Sequence, residues 1–136
     1  MRSKFLIPVF LLLIVSAGCE KHRIKRKYTG DFTFTVSVYR AQINQQPSSS
    51  AYSYEGEIKR YKPAASDGLT TNNVYLEIHF RSSGYVIAKA ESDGRITVIG
   101  ASSNDCHFVN NDLLKMDFAV LSLSSSEHYI ITGNRR

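Results

Sequence analysis

The stretch Phe32-Thr33-Phe34-Thr35-Val36-Ser37-Val38-Tyr39 decides the fold class, because apolar and polar side chains alternate along it one by one. Successive side chains of a β-strand point to opposite faces, so a period of two predicts a strand with one buried face. The same alternation recurs at residues 52–59 and 74–81. Further strands are predicted at residues 85–91, 95–100, 106–109, 113–121 and 127–132. The sequence therefore predicts an all-β domain of about eight strands.

The connections between these strands are short and rich in turn-forming residues. Asp93-Gly94 favours a two-residue type I′ turn, and Ser82-Ser83-Gly84 and Asn110-Asn111-Asp112 are also typical of turns. Short connections require antiparallel neighbours, because a parallel pair needs a long crossover. The predicted architecture is an antiparallel meander closed into a small barrel, with a two-sheet β-sandwich as the alternative.

The alternation also predicts which side chains are buried. The expected core is Phe32, Phe34, Val36, Ile58, Val74, Leu76, Ile78, Phe80, Leu114, Met116, Phe118 and Val120. The opposite faces carry Glu55, Glu57, Lys59, Glu77 and Arg81, which are expected to form charge pairs on a solvated surface, and Tyr39, Tyr61 and Tyr75 are placed on the same polar side.

A different pattern occupies the N-terminus. Arg2 and Lys4 precede the apolar residues 5–15, and the run Val15-Ser16-Ala17-Gly18-Cys19 follows directly. This segment resembles the signal of bacterial lipoproteins, in which a cysteine follows small residues. The resemblance implies cleavage before Cys19 and attachment of acyl chains such as palmitate to its thiol and to the new amino group. An ordinary secretory signal is the alternative, whereas a spanning helix would need about 20 apolar residues.

The chain then divides into three parts: a signal peptide at residues 1–18, a lipidated cysteine with a basic tether at 19–31, and one β domain at 32–136. Lys21, Arg23, Lys25, Arg26 and Lys27 supply the basic charge of the tether. Such residues beside a membrane attract anionic headgroups by about 1 kcal/mol each.

The charge of the folded part is close to neutral. The whole chain carries a formal charge of +5, but from Tyr28 onward it has ten basic and eleven acidic residues. A nucleic-acid-binding domain normally carries a basic patch on its folded surface. The composition therefore argues against a nucleic-acid partner.

The reactive residues form no recognisable catalytic or metal-binding motif. Cys106 is expected to be a buried, unpaired thiol, because the lipid takes Cys19 and because strand geometry turns His107 to the opposite face. His79, His107 and His128 belong to different strands and lack the spacing of metal ligands. We therefore expect no cofactor, no metal and no enzymatic activity; an envelope hydrolase using these histidines, the glutamates or Cys106 is the alternative.

The predicted barrel resembles the lipocalins in general architecture, with Gly30-Asp31-Phe32 standing where that family carries Gly-x-Trp. In a meander, alternate connections lie at the same end of the barrel, and one end collects many serines. The candidate partner-binding residues there are Ser48, Ser49, Ser50, Ser82, Ser83, Ser102, Ser103, Ser124, Ser125 and Ser126. The expected function is binding or structural, in a lipoprotein that is anchored through Cys19 and faces the periplasm. Its partner is expected to be an envelope protein, a glycan or a small apolar ligand.

Overall fold

The computed structural model describes residues 27–136, which form a closed barrel of eight antiparallel strands in meander order. The strands are β1 (Gly30–Gln42), β2 (Ser48–Tyr61), β3 (Val74–His79), β4 (Val86–Ala90), β5 (Arg95–Val98), β6 (Ser103–Phe108), β7 (Leu113–Leu121) and β8 (Ser125–Arg135). The predicted barrel is confirmed and the sandwich alternative is wrong. A single 3-10 turn, Ala65–Asp67, lies between β2 and β3.

Two N-terminal predictions, the signal peptide at 1–18 and the lipidated Cys19, lie outside the described residues. Within residues 27–136, no helix has the length and apolar character needed to cross a membrane.

Meander order gives the barrel two distinct ends. We call the end formed by residues 43–47, 80–85, 99–102 and 122–124 the upper rim, and it is the predicted serine-rich end. The lower rim is formed by residues 62–73, 91–94 and 109–112, together with residues 27–29 that lead into β1.

The strands differ greatly in length, so one side of the barrel is taller than the other. β1 pairs with β8 as far as Gln42↔Ser125, and β7 pairs with β8 as far as Leu121↔Ser126. We call residues 39–42, 48–55, 119–121 and 125–128 the upper wall. On its β2 side the wall ends in an unpaired strand, since β2 pairs with β3 only from Glu57↔His79 onward.

The interior is filled by apolar side chains. Every predicted core residue except Val120 is buried. Val120 remains 37% exposed because it lies in the upper wall, where Glu127 is its cross-strand partner and no opposite strand covers it. Eight-stranded barrels are just wide enough for side chains to fill, and here Phe80, Phe118 and Tyr129 pack ring against ring in the interior.

Two glycines make room for the ring of Phe34. A Cβ atom added at Gly133 would lie 2.8 Å from Cε1 of Phe34, and one added at Gly56 would lie 3.1 Å from its Cε2. The added Cβ at Gly56 would also lie within 2 Å of the carbonyl oxygen of His79. Glycine in a strand commonly marks such a close approach of another chain segment. Phe34 can therefore fill the interior only because β2 and β8 both lack a side chain beside it.

The lower rim is closed by aromatic and cationic side chains. The ring of Tyr28 stacks on Phe108 with 4.1 Å between centroids, and Tyr28 is buried. The guanidinium of Arg135 lies 5.0 Å from the ring centroid of Phe32 and donates hydrogen bonds to the carbonyl oxygens of Lys27 and Thr29. Residues 27–31, which the sequence places in the tether, thus pack as part of the barrel.

The β4–β5 hairpin differs from the predicted type I′ turn. Only Gly94 has a positive φ, of 93°, whereas a type I′ turn needs positive φ at two positions. The amide of Gly94 donates to the carbonyl of Glu91, and the amide of Glu91 donates to the carbonyl of Arg95. The connection is therefore a three-residue loop in which a type I turn is followed by a glycine bulge.

The β5–β6 seam is the shortest in the barrel, with two registered pairs, Arg95↔His107 and Ile96↔Cys106. The side-chain amide of Asn104 extends it. Its Oδ1 accepts from the amide of Val98 at 2.7 Å, and its Nδ2 donates to the carbonyl of Val98 at 3.3 Å. A side chain thus replaces one peptide group of the ladder.

We predict that Gly133→Ala destabilises the protein by about 1–3 kcal/mol, as overpacking of a filled core does. Adding Phe34→Leu should recover part of that loss, because a smaller side chain removes the clash. Gly56→Ala is the matched control: it should be recovered less by Phe34→Leu, since its main clash is with the backbone carbonyl of His79. Urea melts of the single and double variants measure both couplings, and equal recovery of the two glycine variants would contradict this packing.

Candidate functional site

An ion pair stands on the inner face of the upper wall. Arg40 continues the alternation of Phe32 to Val38, so its side chain points to the same face as the core, and Glu127 is its registered partner on β8. Nε of Arg40 donates to Oε1 of Glu127 at 2.8 Å. Both side chains are more than a third exposed, which limits what the pair contributes to stability.

The ion pair continues into the barrel through Tyr129 and Arg81. The hydroxyl of Tyr129 donates to Oε2 of Glu127 at 2.6 Å and accepts from Nη1 of Arg81 at 3.1 Å. The guanidinium of Arg81 lies over the rings of Phe80 and Tyr129, 5.5 and 5.9 Å from their centroids. Such contacts hold an arginine in place without neutralising its charge.

We call Arg40, Tyr52, Arg81, Glu127 and Tyr129 the mouth network. The hydrogen bond from Tyr129 and the contact with Arg40 lower the pKa of Glu127. Burial raises the pKa of Tyr52, and the positive charges of Arg81 and Arg40 partly oppose that effect. The network contains two guanidinium groups and one carboxylate, so it carries an excess of positive charge.

Arg81 corrects one sequence expectation. Its position after Phe80 predicts the solvated outer face, but β3 ends at His79 and the alternation does not continue beyond the buried Phe80. The side chain instead turns across the barrel mouth. Its Nε is buried without a hydrogen-bond partner among the described residues, and in the same part of the chain it forms no ion pair.

The mouth network was not predicted from the sequence, although the positions of two of its members in the sequence pattern indicated it. Arg40 and Glu127 both occupy positions that the period of two assigns to the inner face of their strands. A charged residue at such a position indicates either the end of the core or a polar site. Arg81 left no such signal, because its placement depends on where β3 stops.

The predicted serines are spread over the upper rim and the strands beside it. Ser82 and Ser83 lie in the 80–85 connection, Ser102 precedes β6, and Ser124 lies in the turn before β8. The others lie within strands rather than loops: Ser48, Ser49 and Ser50 in β2, Ser103 in β6, and Ser125 and Ser126 in β8. Strand pairing extends further along the chain than the apolar alternation does.

Some of these serines line a shallow hollow of about 300 Å³ on the outer face of the upper wall. Ser48, Ser49 and Ser126 contribute to it together with Tyr39 and His128. The rings of Tyr39 and His128 lie 6.1 Å apart, and Nε2 of His128 is 2.6 Å from Oδ1 of Asp117.

The tip of the upper wall exposes large apolar side chains. Ile43 is 66% exposed, Leu121 is 64% exposed and Leu123 is fully exposed. The two turns that carry them are joined, since the amide of Ile43 donates to the carbonyl of Ser124 at 3.0 Å. We call Ile43, Leu121 and Leu123 the apolar tip. Clustered exposed apolar residues commonly mark an interaction site.

Cys106 has the character of a structural thiol. It is unpaired and 3% exposed, and burial raises its pKa to about 11, away from the range in which a thiolate forms at neutral pH. His107 is exposed on the opposite face, as expected. The predictions for these two residues are confirmed.

The remaining histidines pair with carboxylates on the outer surface. Nε2 of His79 lies 3.0 Å from Oε2 of Glu77, on a different part of the barrel from the His128–Asp117 pair. Within residues 27–136, no three histidine, cysteine, aspartate or glutamate side chains are grouped as metal ligands.

Apart from Arg81, the outer face carries the expected charges, but one of the tyrosines expected there is buried. Lys59 pairs with Glu57 at 2.6 Å, and Glu55 pairs with Arg136 at 3.0 Å. Tyr75, expected on the polar side, is only 3% exposed. Its hydroxyl accepts from Nδ2 of Asn73 at 3.4 Å, which places the end of the 62–73 connection beside it.

Comparison of the chain with protein-family models, with curated proteins and with solved structures finds no match in any of the three. Proposals about function therefore depend on the geometry of the barrel and on the N-terminal signal that the sequence predicts.

We predict that Tyr129→Phe destabilises the protein by about 0.5–1.5 kcal/mol at pH 7, because both Glu127 and Arg81 lose a hydrogen-bond partner. The pKa of Glu127 is lowered in the folded state, so its stabilisation is present above the ordinary carboxyl pKa and is lost as the pH falls through the folded value. The difference between variant and wild type should therefore shrink towards pH 3.

Urea melts at both pH values test this, with Tyr39→Phe as the control, since Tyr39 is half-exposed on the outer face. Carbon-detected NMR should also report a higher pKa for Glu127 in the Tyr129→Phe variant. A stability loss of equal size at pH 3 and pH 7 would show that the hydroxyl does not act through the carboxylate.

Proposed function

We propose that this protein is a non-enzymatic binding lipoprotein of a bacterial cell envelope, held to a membrane through Cys19 and presenting its upper rim to a protein partner. The observation that carries the proposal is that the N-terminal entry of the chain and the apolar tip lie at opposite ends of the barrel. The chain enters at the lower rim through Lys27 and Tyr28, whereas the apolar tip is at the upper rim.

The proposed anchor is close to the lower rim. Residues 20–26 separate Cys19 from Lys27, and seven residues span at most about 25 Å when fully extended. The basic residues of this segment would add attraction for anionic headgroups to the hold of the acyl chains. An anchor at that position directs the upper rim away from the membrane, towards the periplasm if the lipid is in a membrane that faces it.

The apolar tip has the composition of a small protein interface. Its three side chains are large and exposed, and Ser122, Ser124 and Ser125 stand beside them. Interfaces typically place apolar side chains at the centre and polar ones around them. A glycan partner finds more support at the outer hollow, where Tyr39 and His128 offer ring faces and hydrogen-bonding groups beside serines.

Two other expectations receive less support. A small apolar ligand inside the barrel would have to displace Phe34, Phe80 and Phe118, which are fully buried. A hydrolase would need an activated nucleophile, and Cys106 is buried with a raised pKa on the face opposite to His107.

We predict that Cys19→Ser releases the protein from membranes into the soluble fraction, because acylation of that thiol is the proposed attachment. Fractionation of cells labelled with a radioactive fatty acid measures both label and location. Cys106→Ser is the matched control and should keep both the label and the membrane location. Retention of the Cys19→Ser protein in membranes washed with high salt would reject the anchor.

We also predict that replacing both Leu121 and Leu123 by serine removes most of the partner captured by crosslinking in intact cells. Stability should change by less than about 0.5 kcal/mol per site, as for most exposed positions. The matched control is Ile130→Ser, an exposed apolar residue on the outer face of the barrel. Equal capture by both variants would place the partner surface elsewhere.

A further inference from the structure

The upper wall contains a strand edge that no described residue covers. Pairing between β2 and β3 begins at Glu57↔His79, and no backbone hydrogen bond other than those to β1 is formed by residues 48–55 in the described part of the chain. In an antiparallel ladder every second residue directs its N–H and C=O away from its partner strand. Residues 48–55 therefore present a row of unpaired peptide groups.

This edge lacks the features that usually protect exposed strands. Proteins commonly place lysine, proline, bulges or inward-pointing charges on such edges. Residues 48–54 read Ser-Ser-Ser-Ala-Tyr-Ser-Tyr, with no charge and no proline. Pro47 precedes the edge and Glu55 follows its neutral part. Small serine side chains leave the peptide groups open to another chain.

The space beside the edge is bounded by the connection that follows β3. The close approach of Gly56 to the carbonyl of His79 brings the two strands together at the base of the wall. Above that point β3 ends and residues 80–85 turn away, while β2 continues to Ser48. An added strand would lie in this gap, with its alternate side chains directed towards the barrel mouth.

Arg81 lies at the bottom of the gap and has unsatisfied hydrogen-bonding capacity. Its guanidinium is held by Tyr129 and by two aromatic rings, but it has no carboxylate partner among the described residues. It lies close enough to Tyr52, on the free edge, for its charge to oppose part of the rise that burial causes in the pKa of that phenol. A buried guanidinium nitrogen without a partner is costly, and a carboxylate is the acceptor that suits it best.

We infer that residues 48–55 of β2 bind an extended segment of a partner protein as an additional antiparallel strand, and that an acidic side chain of this segment pairs with Arg81. Main-chain hydrogen bonds supply the affinity in this mode of recognition, and alternate side chains supply the specificity. The inference refines the proposed function by naming the form of the partner chain, and it can fail while the apolar tip and the anchor are upheld.

The test uses the acylated protein purified in mild detergent and a capped seven-residue peptide of alternating threonine and valine with one central glutamate. Hydrogen exchange followed by NMR should show alternate amides of residues 48–55 protected when this peptide is added. A peptide with glutamine in place of the glutamate should bind about tenfold more weakly, as expected for loss of one charge-assisted hydrogen bond.

Arg81→Met is the informative variant, because methionine keeps an apolar side chain over Phe80 and Tyr129. It should bind both peptides with equal affinity and still show the alternate protection. Arg60→Met, at the lower end of β2, is the control and should keep the tenfold preference.

Three outcomes would overturn the inference. One is the absence of protection by either peptide at millimolar concentration. A second is equal binding of the glutamate and glutamine peptides to the unmodified protein. The third is protection that rises with protein concentration without any peptide, which would show that the edge pairs with a second copy of this chain.

Discussion

The ring of Phe34, enclosed between Gly56 and Gly133, is the constraint on which the rest of the barrel depends. Eight strands close around a volume that side chains can just fill, and this ring occupies it only because both neighbouring strands lack a side chain at its level. The glycine at position 56 also lets β2 approach the carbonyl of His79. The same small residues therefore allow the interior to be filled and the β2–β3 seam to close.

Closure of the barrel at Gly56 and His79 explains why one side of it is taller than the other. β3 ends at His79, just where the seam to β2 begins, whereas β1, β2, β7 and β8 continue upward as the upper wall. The wall needs no buried face, because its strands are held by backbone pairing, to which the exposed Arg40–Glu127 ion pair adds little. It exposes an inner face, an outer hollow, an apolar tip and a free edge, while the lower rim is sealed by Tyr28 and Arg135. These four surfaces thus lie at the same end of the barrel.

The period of two in residues 32–39 predicted the fold and most of the core, because a strand with one buried face carries an apolar side chain at every second position. It did not predict how far the strands extend. Arg40 pairs with Ser48 and Ser50 pairs with Val38 through their backbones, and backbone pairing leaves no trace in hydropathy. The burial of Tyr28 was not predicted either. Tyr28 lies outside any strand, and it is buried because it stacks on Phe108, which is distant in the sequence.

The candidate site was less predictable than the fold. The serines lie at one end of the barrel, as predicted, because meander order alone assigns each connection to an end. Their role in binding a partner stays a prediction. The mouth network depends on where β3 stops and on how Arg81 turns after it, and both follow from packing rather than from local pattern. The anchor and the partner remain proposals, which are supported by the predicted N-terminal signal and by the geometry of the two rims.

In the proposed orientation the lower rim faces the membrane and the upper rim faces away from it. Fluorophores attached to Asn111→Cys at the lower rim and to Ser124→Cys at the upper rim can be compared in vesicles by energy transfer to a labelled lipid, since Cys106 is buried. The strands of the tall side span about 25–30 Å along the barrel axis, from the rise per residue and the tilt of such barrels. We expect strong transfer from the label at position 111 and much weaker transfer from that at position 124. Equal transfer from both, or stronger transfer from position 124, would contradict the proposed orientation.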